Sequence, residues 1–174
     1  MQRLGQSAKL DVHNGCVNTI SWSDENSNLI LSGSDDQTLA ITDAFLGTVS
    51  YYAIQIFFVL KIAELPFLLF KKKATVFTGH KSNIFSAKFM PQSGNQKLVS
   101  CSSGGDIFVS DVNEPTLVNS QHRYRCHGEK TCYELRTFNL EPFYFVSCGQ
   151  DGTCKWVDTR QSGSCARLYC AEHT

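Results

Sequence analysis

The stretch FVSCGQDGTCKWVDTR, Phe145 to Arg160, holds a Ser, an Asp and a Trp and ends on Asp-x-Arg, so it is either a single catalytic kit or one hairpin of a repeated scaffold. Two further copies decide for the scaffold. LILSGSDDQTLAITD ends at Asp43, KLVSCSSGGDIFVSD at Asp111 and YFVSCGQDGTCKWVD at Asp158, with Ser32, Ser100 and Ser147 in register. Upstream of each Ser stands a His followed by an alternating run: His13 before VNTISW, His80 before IFSAKF and His127 before CYELRTF. The His-to-Ser spacing is 19, 20 and 20 residues, so these are equivalent positions of an internal repeat.

Period-two alternation sets Val17, Thr19 and Ser21 against Asn18, Ile20 and Trp22, and predicts strands bounded by turn residues. GSDDQ and GQDGT have tight-turn chemistry, because Gly and Asp reach backbone conformations that β-branched residues resist. Each unit therefore predicts a small antiparallel sheet. His80 and His127 lie 47 residues apart, near the roughly 40–45 residues of a four-stranded propeller blade. The expected fold class is all-β, a partial β-propeller of three blades, with Leu29–Ser32, Lys97–Cys101 and Tyr144–Cys148 as inner strands.

Gly79-His80 in GHKSNIFSAKF, and the KWVD run ending at Asp158, resemble the signatures of WD-repeat proteins. HNGCVNTISW, LSGSDDQTLAI, GHKSNIFSAKFMP and SCGQDGTCKWVDTR are most similar to the nuclear-receptor-interacting, cullin-4-ligase-associated branch of that family, over residues 10–43 and about 74–160. The resemblance implies a buried network of His, Ser or Thr, turn Asp and strand Trp in each blade. His13, Ser32 and Asp36 supply three members in the first unit, and His127, Ser147 and Asp151 in the third. In the second, His80 and Ser100 are present but Gly104 holds the place of the turn Asp, leaving Asp106 as the alternative partner. The Trp is missing throughout: Thr42, Ser110 and Val157 occupy its place, and Trp156 falls one residue early, on the opposite side of the strand. Blade one is expected over 10–43 plus 74–78, blade two over 79–126 and blade three over 127–170. That is about three of the seven blades usual in the family, an arc with bare flanking faces that calls for further blades or an oligomeric contact.

His13 and His80 lie 67 residues apart, about twenty more than the next interval, and the excess falls in AFLGTVSYYAIQIFFVLKIAELPFLLFKKK, Ala44 to Lys73. This apolar insertion, 44–73, is long enough to span a bilayer, but Gln55, Lys61, Glu64 and Pro66 interrupt it and a span there would put one blade's outer strand in lipid. A membrane partner is therefore disfavoured. LPFLLF is what a pyrimidine-rich tract yields on translation, so a retained intervening sequence is one reading and a genuine insertion the other; under either, Tyr51 to Leu60 is expected to be helical or aggregation-prone.

Lys plus Arg equals Asp plus Glu at 16 each, so no net field points to nucleic acid. The polar opening MQRLGQSAKLDVHNG has no signal-peptide pattern, and reduced thiols are the expectation for the eight cysteines. Cys126, His127 and Cys132, or Cys165, Cys170 and His173, lack the paired C-x-x-C spacing of zinc sites. No nucleophile elbow, Walker loop or dinucleotide fingerprint is present, so neither an enzyme nor a cofactor is expected.

Function then rests on protein partners. By resemblance, Asp158 and Arg160 match a W-D-x-R box through which cullin-4-associated factors contact the ligase adaptor, with Val157 standing where the Trp belongs. This implies a substrate receptor of a cullin-4 ubiquitin ligase in the nucleus or cytoplasm. The alternatives are a non-ligase scaffold for nuclear receptors or other transcription regulators, and a truncated product without independent function.

Overall fold

The computed structural model describes residues 10–25, 28–43, 71–113, 122–161 and 165–168, and these form strands without a helix. The first sheet is β1 (Val17–Trp22), β2 (Leu29–Ser34), β3 (Thr38–Asp43) and β4 (Lys71–Phe77), paired antiparallel in that order. The second is β5 (Ile84–Phe89), β6 (Lys97–Ser102), β7 (Ile107–Asp111) and β8 (His122–Tyr124). The third is β9 (Cys132–Phe138), β10 (Glu141–Gly149), β11 (Cys154–Asp158) and β12 (Cys165–Leu168). A meander of four strands, repeated once per sequence unit, is the partial propeller expected from the period.

The sheets stack in chain order, β1 against β5 and β5 against β9. Two apolar layers hold them together. Leu29, Leu31, Leu39, Ile41 and Val76 of the first sheet meet Ile84, Ala87, Phe89 and Leu98 of the second. Met90, Val99, Ile107, Val109 and Tyr124 of the second meet Leu135, Phe145 and Val157 of the third. Each fully buried aliphatic chain contributes roughly 1.5–3 kcal/mol. In the middle sheet β7 is buried at Ile107, Phe108, Val109 and Ser110 alike, as β3 of the first sheet is from Leu39 to Asp43, whereas β9 of the third sheet has Cys132 and Leu135 buried but Tyr133 and Phe138 exposed. Polar bonds join the neighbouring first strands: the Ser21 hydroxyl donates to the Ala87 carbonyl at 2.9 Å, and the Leu135 N–H to the Ser86 hydroxyl at 3.2 Å.

Four expectations need comment. The strands expected to be inner, containing Leu29–Ser32, Lys97–Cys101 and Tyr144–Cys148, lie second in their sheets, and β1, β5 and β9 form the edge where successive sheets converge. The run after each His reaches that edge first because the chain enters each sheet there. β4 begins at Lys71 and pairs Lys71 with Asp43 and Lys72 with Thr42, so part of the 44–73 insertion belongs to the first sheet. The remainder, including Tyr51 to Leu60, lies outside the described residues; among the described residues no helix is long and apolar enough to cross a membrane. The expectation that all thiols are reduced is corrected by a Cys126–Cys165 disulfide, formed because β8 and β12 bring the two Cα atoms to 5.6 Å.

Candidate functional site

Three equivalent turns organise the polar residues. Gln37 N–H donates to the Ser34 carbonyl at 3.2 Å, Gly105 to Ser102 at 3.1 Å and Gly152 to Gly149 at 3.1 Å. The donor residue is left-handed in each, with φ of 66°, 81° and 72°. The residue before it is Asp36, Gly104 or Asp151, so a common backbone offers a carboxylate to the neighbouring His in two units and nothing in the other.

In the first unit His13 Nδ1 lies 3.0 Å from Asp36 Oδ2 and Nε2 lies 2.8 Å from Ser32 Oγ. A carboxylate only accepts, so Nδ1 donates to Asp36 and Nε2 faces the Ser32 hydroxyl. Asp36 also receives the Asn14 N–H at 2.9 Å, the Thr38 N–H at 3.0 Å and the Thr38 hydroxyl at 2.7 Å. Burial pushes this carboxyl up, but these donors outweigh it and hold it at about 2. In the third unit His127 Nδ1 lies 2.9 Å from Asp151 Oδ1 and Nε2 lies 2.9 Å from Ser147 Oγ. Burial pushes His127 down, yet Cys132 and Asp151 beside it raise it above its ordinary value. The ring fits only because Gly149 is bare: a Cβ there would stand 2.5 Å from His127 Nδ1.

The second unit differs. His80 Nε2 lies 3.0 Å from Ser100 Oγ, but its buried Nδ1 has no partner. Asp106 does not reach it, because Arg123 on β8 takes that carboxylate through Nε and Nη2, each at 2.8 Å, and Arg125 Nε adds a contact at 3.3 Å. Burial therefore dominates and pushes His80 down to about 4. Phe108 packs edge-on to the ring at 4.8 Å.

An Asp–His–Ser relay resembles a hydrolase triad, yet its serines are buried. Ser147 is fully buried and Ser32 only 8% exposed, and the relay recurs in register. In the first and third units these residues fasten the turn to the preceding loop. Among the described residues no group of three metal-ligating side chains occurs; Cys126 is tied to Cys165, and Cys170 and His173 lie outside the described residues. Thr42, Ser110 and Val157, at the positions of the missing Trp, are all buried, while Trp156 faces the other way and packs on Phe138 and Tyr144 with both ring centroids at 5.1 Å.

Asp158 and Arg160 meet at the end of β11. The chain does not continue extended there. Gln161 N–H donates to the Asp158 carbonyl at 3.1 Å and Arg160 N–H to Asp158 Oδ1 at 3.0 Å, a turn that folds the guanidinium back onto the carboxylate. Arg160 Nε stands 2.9 Å from Oδ1 and Nη2 2.7 Å from Oδ2, a two-pronged pair. Nη2 also bonds the Tyr144 hydroxyl, and the guanidinium carbon lies 5.0 Å and 5.1 Å from the Phe143 and Tyr144 ring centroids. The Arg160 guanidinium holds the Asp158 carboxyl at about 2, and Asp158 raises Arg160 in turn. The Arg160 side chain remains 51% exposed. Sequence reasoning missed Phe143, Tyr144 and Arg123, since nothing in the repeat marks residues that act through a neighbouring strand. Thr38 carried a signal, lying two residues past the turn Asp.

A cleft of about 770 Å³ is lined by Met90, Pro91 and Phe143 together with the polar Lys97, Asp111 and Thr159.

The WD domain, G-beta repeat family matches residues 5–43 and 71–111. The third sheet lies beyond those ranges and repeats their strand order. Human DDB1- and CUL4-associated factor 6 is 39% identical over 172 residues, covering 99% of this chain and 17% of that protein. Mouse WD and tetratricopeptide repeats protein 1 is 30% identical over 162 residues, 93% of this chain and 20% of that protein. WD repeat protein iqw1 of Schizosaccharomyces pombe is 30% identical over 165 residues, 90% of this chain and 17% of that protein. The chain thus spans about a sixth to a fifth of the length of these curated relatives.

Proposed function

We propose, for a chain that is a WD-repeat protein similar to DDB1- and CUL4-associated factor 6, a role as a protein-interaction scaffold that presents Asp158 and Arg160 to the DDB1 adaptor of a cullin-4 ubiquitin ligase. The observation that carries this reading is the ordering of Arg160. A long cationic side chain ordinarily loses rotamer freedom when a partner binds it, and here Asp158, Tyr144 and Phe143 have removed that freedom beforehand. Nε and Nη2 are engaged by Asp158 and Tyr144, which leaves the two N–H groups of Nη1 for a carboxylate or carbonyl of the partner. Val157 in place of the box Trp is buried in the core and leaves this geometry to the turn itself. The scaffold would bring a substrate, with nuclear receptors and other transcription regulators as the candidate class, to the ligase in the nucleus or cytoplasm.

The test is capture of the chain by purified DDB1. Arg160→Ala is expected to weaken capture by about 2 kcal/mol or more, as for an anchored interface hot spot, with an unchanged melting temperature. Equal capture of wild type and variant removes Arg160 from the interface; no capture of either leaves a WD-repeat scaffold serving other partners.

A further inference from the structure

The third sheet carries a second pair of cysteines that no part of the His-Ser-Asp relay or the Arg160 turn uses. Cys148 on β10 and Cys154 on β11 are Cα partners, directly opposite in an antiparallel pair, and flank the five-residue turn that carries Asp151. Gly149 N–H donates to the Thr153 carbonyl at 3.3 Å, one step nearer the turn. In an antiparallel ladder that bond places the next pair outward, Cys148 and Cys154, at a non-hydrogen-bonded position, where Cα atoms are about 4.5 Å apart and side chains share one face. Disulfides span Cα separations of roughly 4.4–6.8 Å, so the spacing of such a pair admits the bond.

We propose that Cys148 and Cys154 form a reversible cross-strand disulfide, a thiol-redox modification site for low-molecular-weight disulfides such as oxidised glutathione. Both thiols are half-buried, unlike Cys101 and Cys132, which are sealed in the core. Reagent therefore reaches this pair while the fold is intact. Ser147, next to Cys148, points to the core and His127, so the cysteines occupy the opposite face, between Glu134 on β9 and the outer strand. Burial pushes the Cys148 thiol up, which slows its exchange at neutral pH.

The steps balance. The Cys148 thiolate attacks one sulfur of oxidised glutathione, forming a mixed disulfide, and the expelled glutathione thiolate takes up the proton Cys148 lost. The Cys154 thiolate then attacks the Cys148 sulfur, closing the cross-strand bond and releasing the second glutathione with the proton from Cys154. Two electrons pass from the cysteine pair to the glutathione disulfide. The bridge pins both ends of the turn that holds Asp151 against His127.

Trypsin makes the test direct, because Thr137–Lys155 contains no internal Lys or Arg and holds both cysteines. The intact chain is equilibrated with graded mixtures of reduced and oxidised glutathione, quenched in acid, alkylated, digested and weighed. The expected oxidised product is this peptide alone, two hydrogens lighter than the dithiol and alkylated at neither cysteine. Cys154→Ser should instead retain one glutathione on Cys148. A wild-type peptide that keeps glutathione, joins the Cys132 or Cys101 peptide, or stays alkylated at both cysteines where Cys126–Cys165 is fully formed overturns the proposal.

Discussion

Arg123 holds the carboxylate of Asp106 by two bonds of 2.8 Å and so leaves the Nδ1 atom of His80 buried without a partner. The other two units place Asp36 and Asp151 against the equivalent atom. Gly104→Asp should supply the missing carboxylate. Its Cβ would lie 3.2 Å from Ser82 Oγ, a contact that a small rotation of the Ser82 hydroxyl relieves. A hydrogen bond to a charged group adds about 1 kcal/mol or more, so the denaturation midpoint should rise. An unchanged or lower midpoint would mean that the second turn cannot present the carboxylate as the others do.

The same His80 governs acid sensitivity. Burial holds it near 4 against an ordinary value of 6.5, with Asp106 and Arg123 acting on it in opposite directions. As pH falls from 6.5 towards 4 the unfolded chain takes the proton and the folded chain does not, so stability is intact above this window and is lost within it. His80→Gln removes the titration. The loss of unfolding free energy between pH 7 and pH 4.5 should be about 2 kcal/mol smaller in the variant. His127, raised rather than lowered, loses its contribution as pH rises, and is common to both proteins. Parallel pH profiles would show that His80 is protonated in the fold.

How far the sequence could be read follows from these cases. The 19- and 20-residue spacing of His and Ser placed His13 at 2.8 Å from Ser32 and His127 at 2.9 Å from Ser147, because register in a meander is set by turn length. Partners arriving from an outer strand were not legible: β8 is three residues long, and nothing in HRY announces that Arg123 will take Asp106. The Cys126–Cys165 bond was illegible for the same reason, since 39 residues separate cysteines that only the completed sheet brings together. The fold of Arg160 onto Asp158 depends on a turn after β11 that no residue of KWVDTR marks.

Gln37 tests the shared turn directly. It is a non-glycine residue at φ 66°, where Gly105 and Gly152 stand in the other two copies. Gln37→Gly should stabilise the chain by about 0.5–1 kcal/mol, since relief of the left-handed conformation exceeds the entropy that glycine loses. A loss of stability would show that the Gln37 side chain contributes a contact that outweighs its backbone strain.

Asp43 and Lys71 are register partners at the open end of the β3–β4 pair. Deleting Leu46 to Phe70 leaves Ala44 and Phe45 between them, the length of a two-residue hairpin loop. The deletion should keep the strand content of the parent. Ala44→Asn with Phe45→Gly, which suits the turn such a loop needs, should raise its melting temperature by about 2–4 °C. Loss of the β signal on deletion would show that residues between 46 and 70 are required for the first sheet.

Arg160→Lys separates charge from shape. Lysine keeps the cation beside Asp158 but cannot make the parallel pair that Nε and Nη2 make at 2.9 Å and 2.7 Å, nor lie flat against Phe143. With the planar fork lost, the side chain regains rotamers that a partner must freeze again. Capture by DDB1 should therefore fall with Arg160→Lys, and Phe143→Ala should weaken it in the same direction by removing one wall of the stack. Melting temperatures should shift little, because Arg160 is half exposed and its pairing contributes little against water. Full retention of capture by Arg160→Lys would show that the partner reads only a positive charge at this turn, and that the ordering by Asp158, Tyr144 and Phe143 serves the turn rather than the interface.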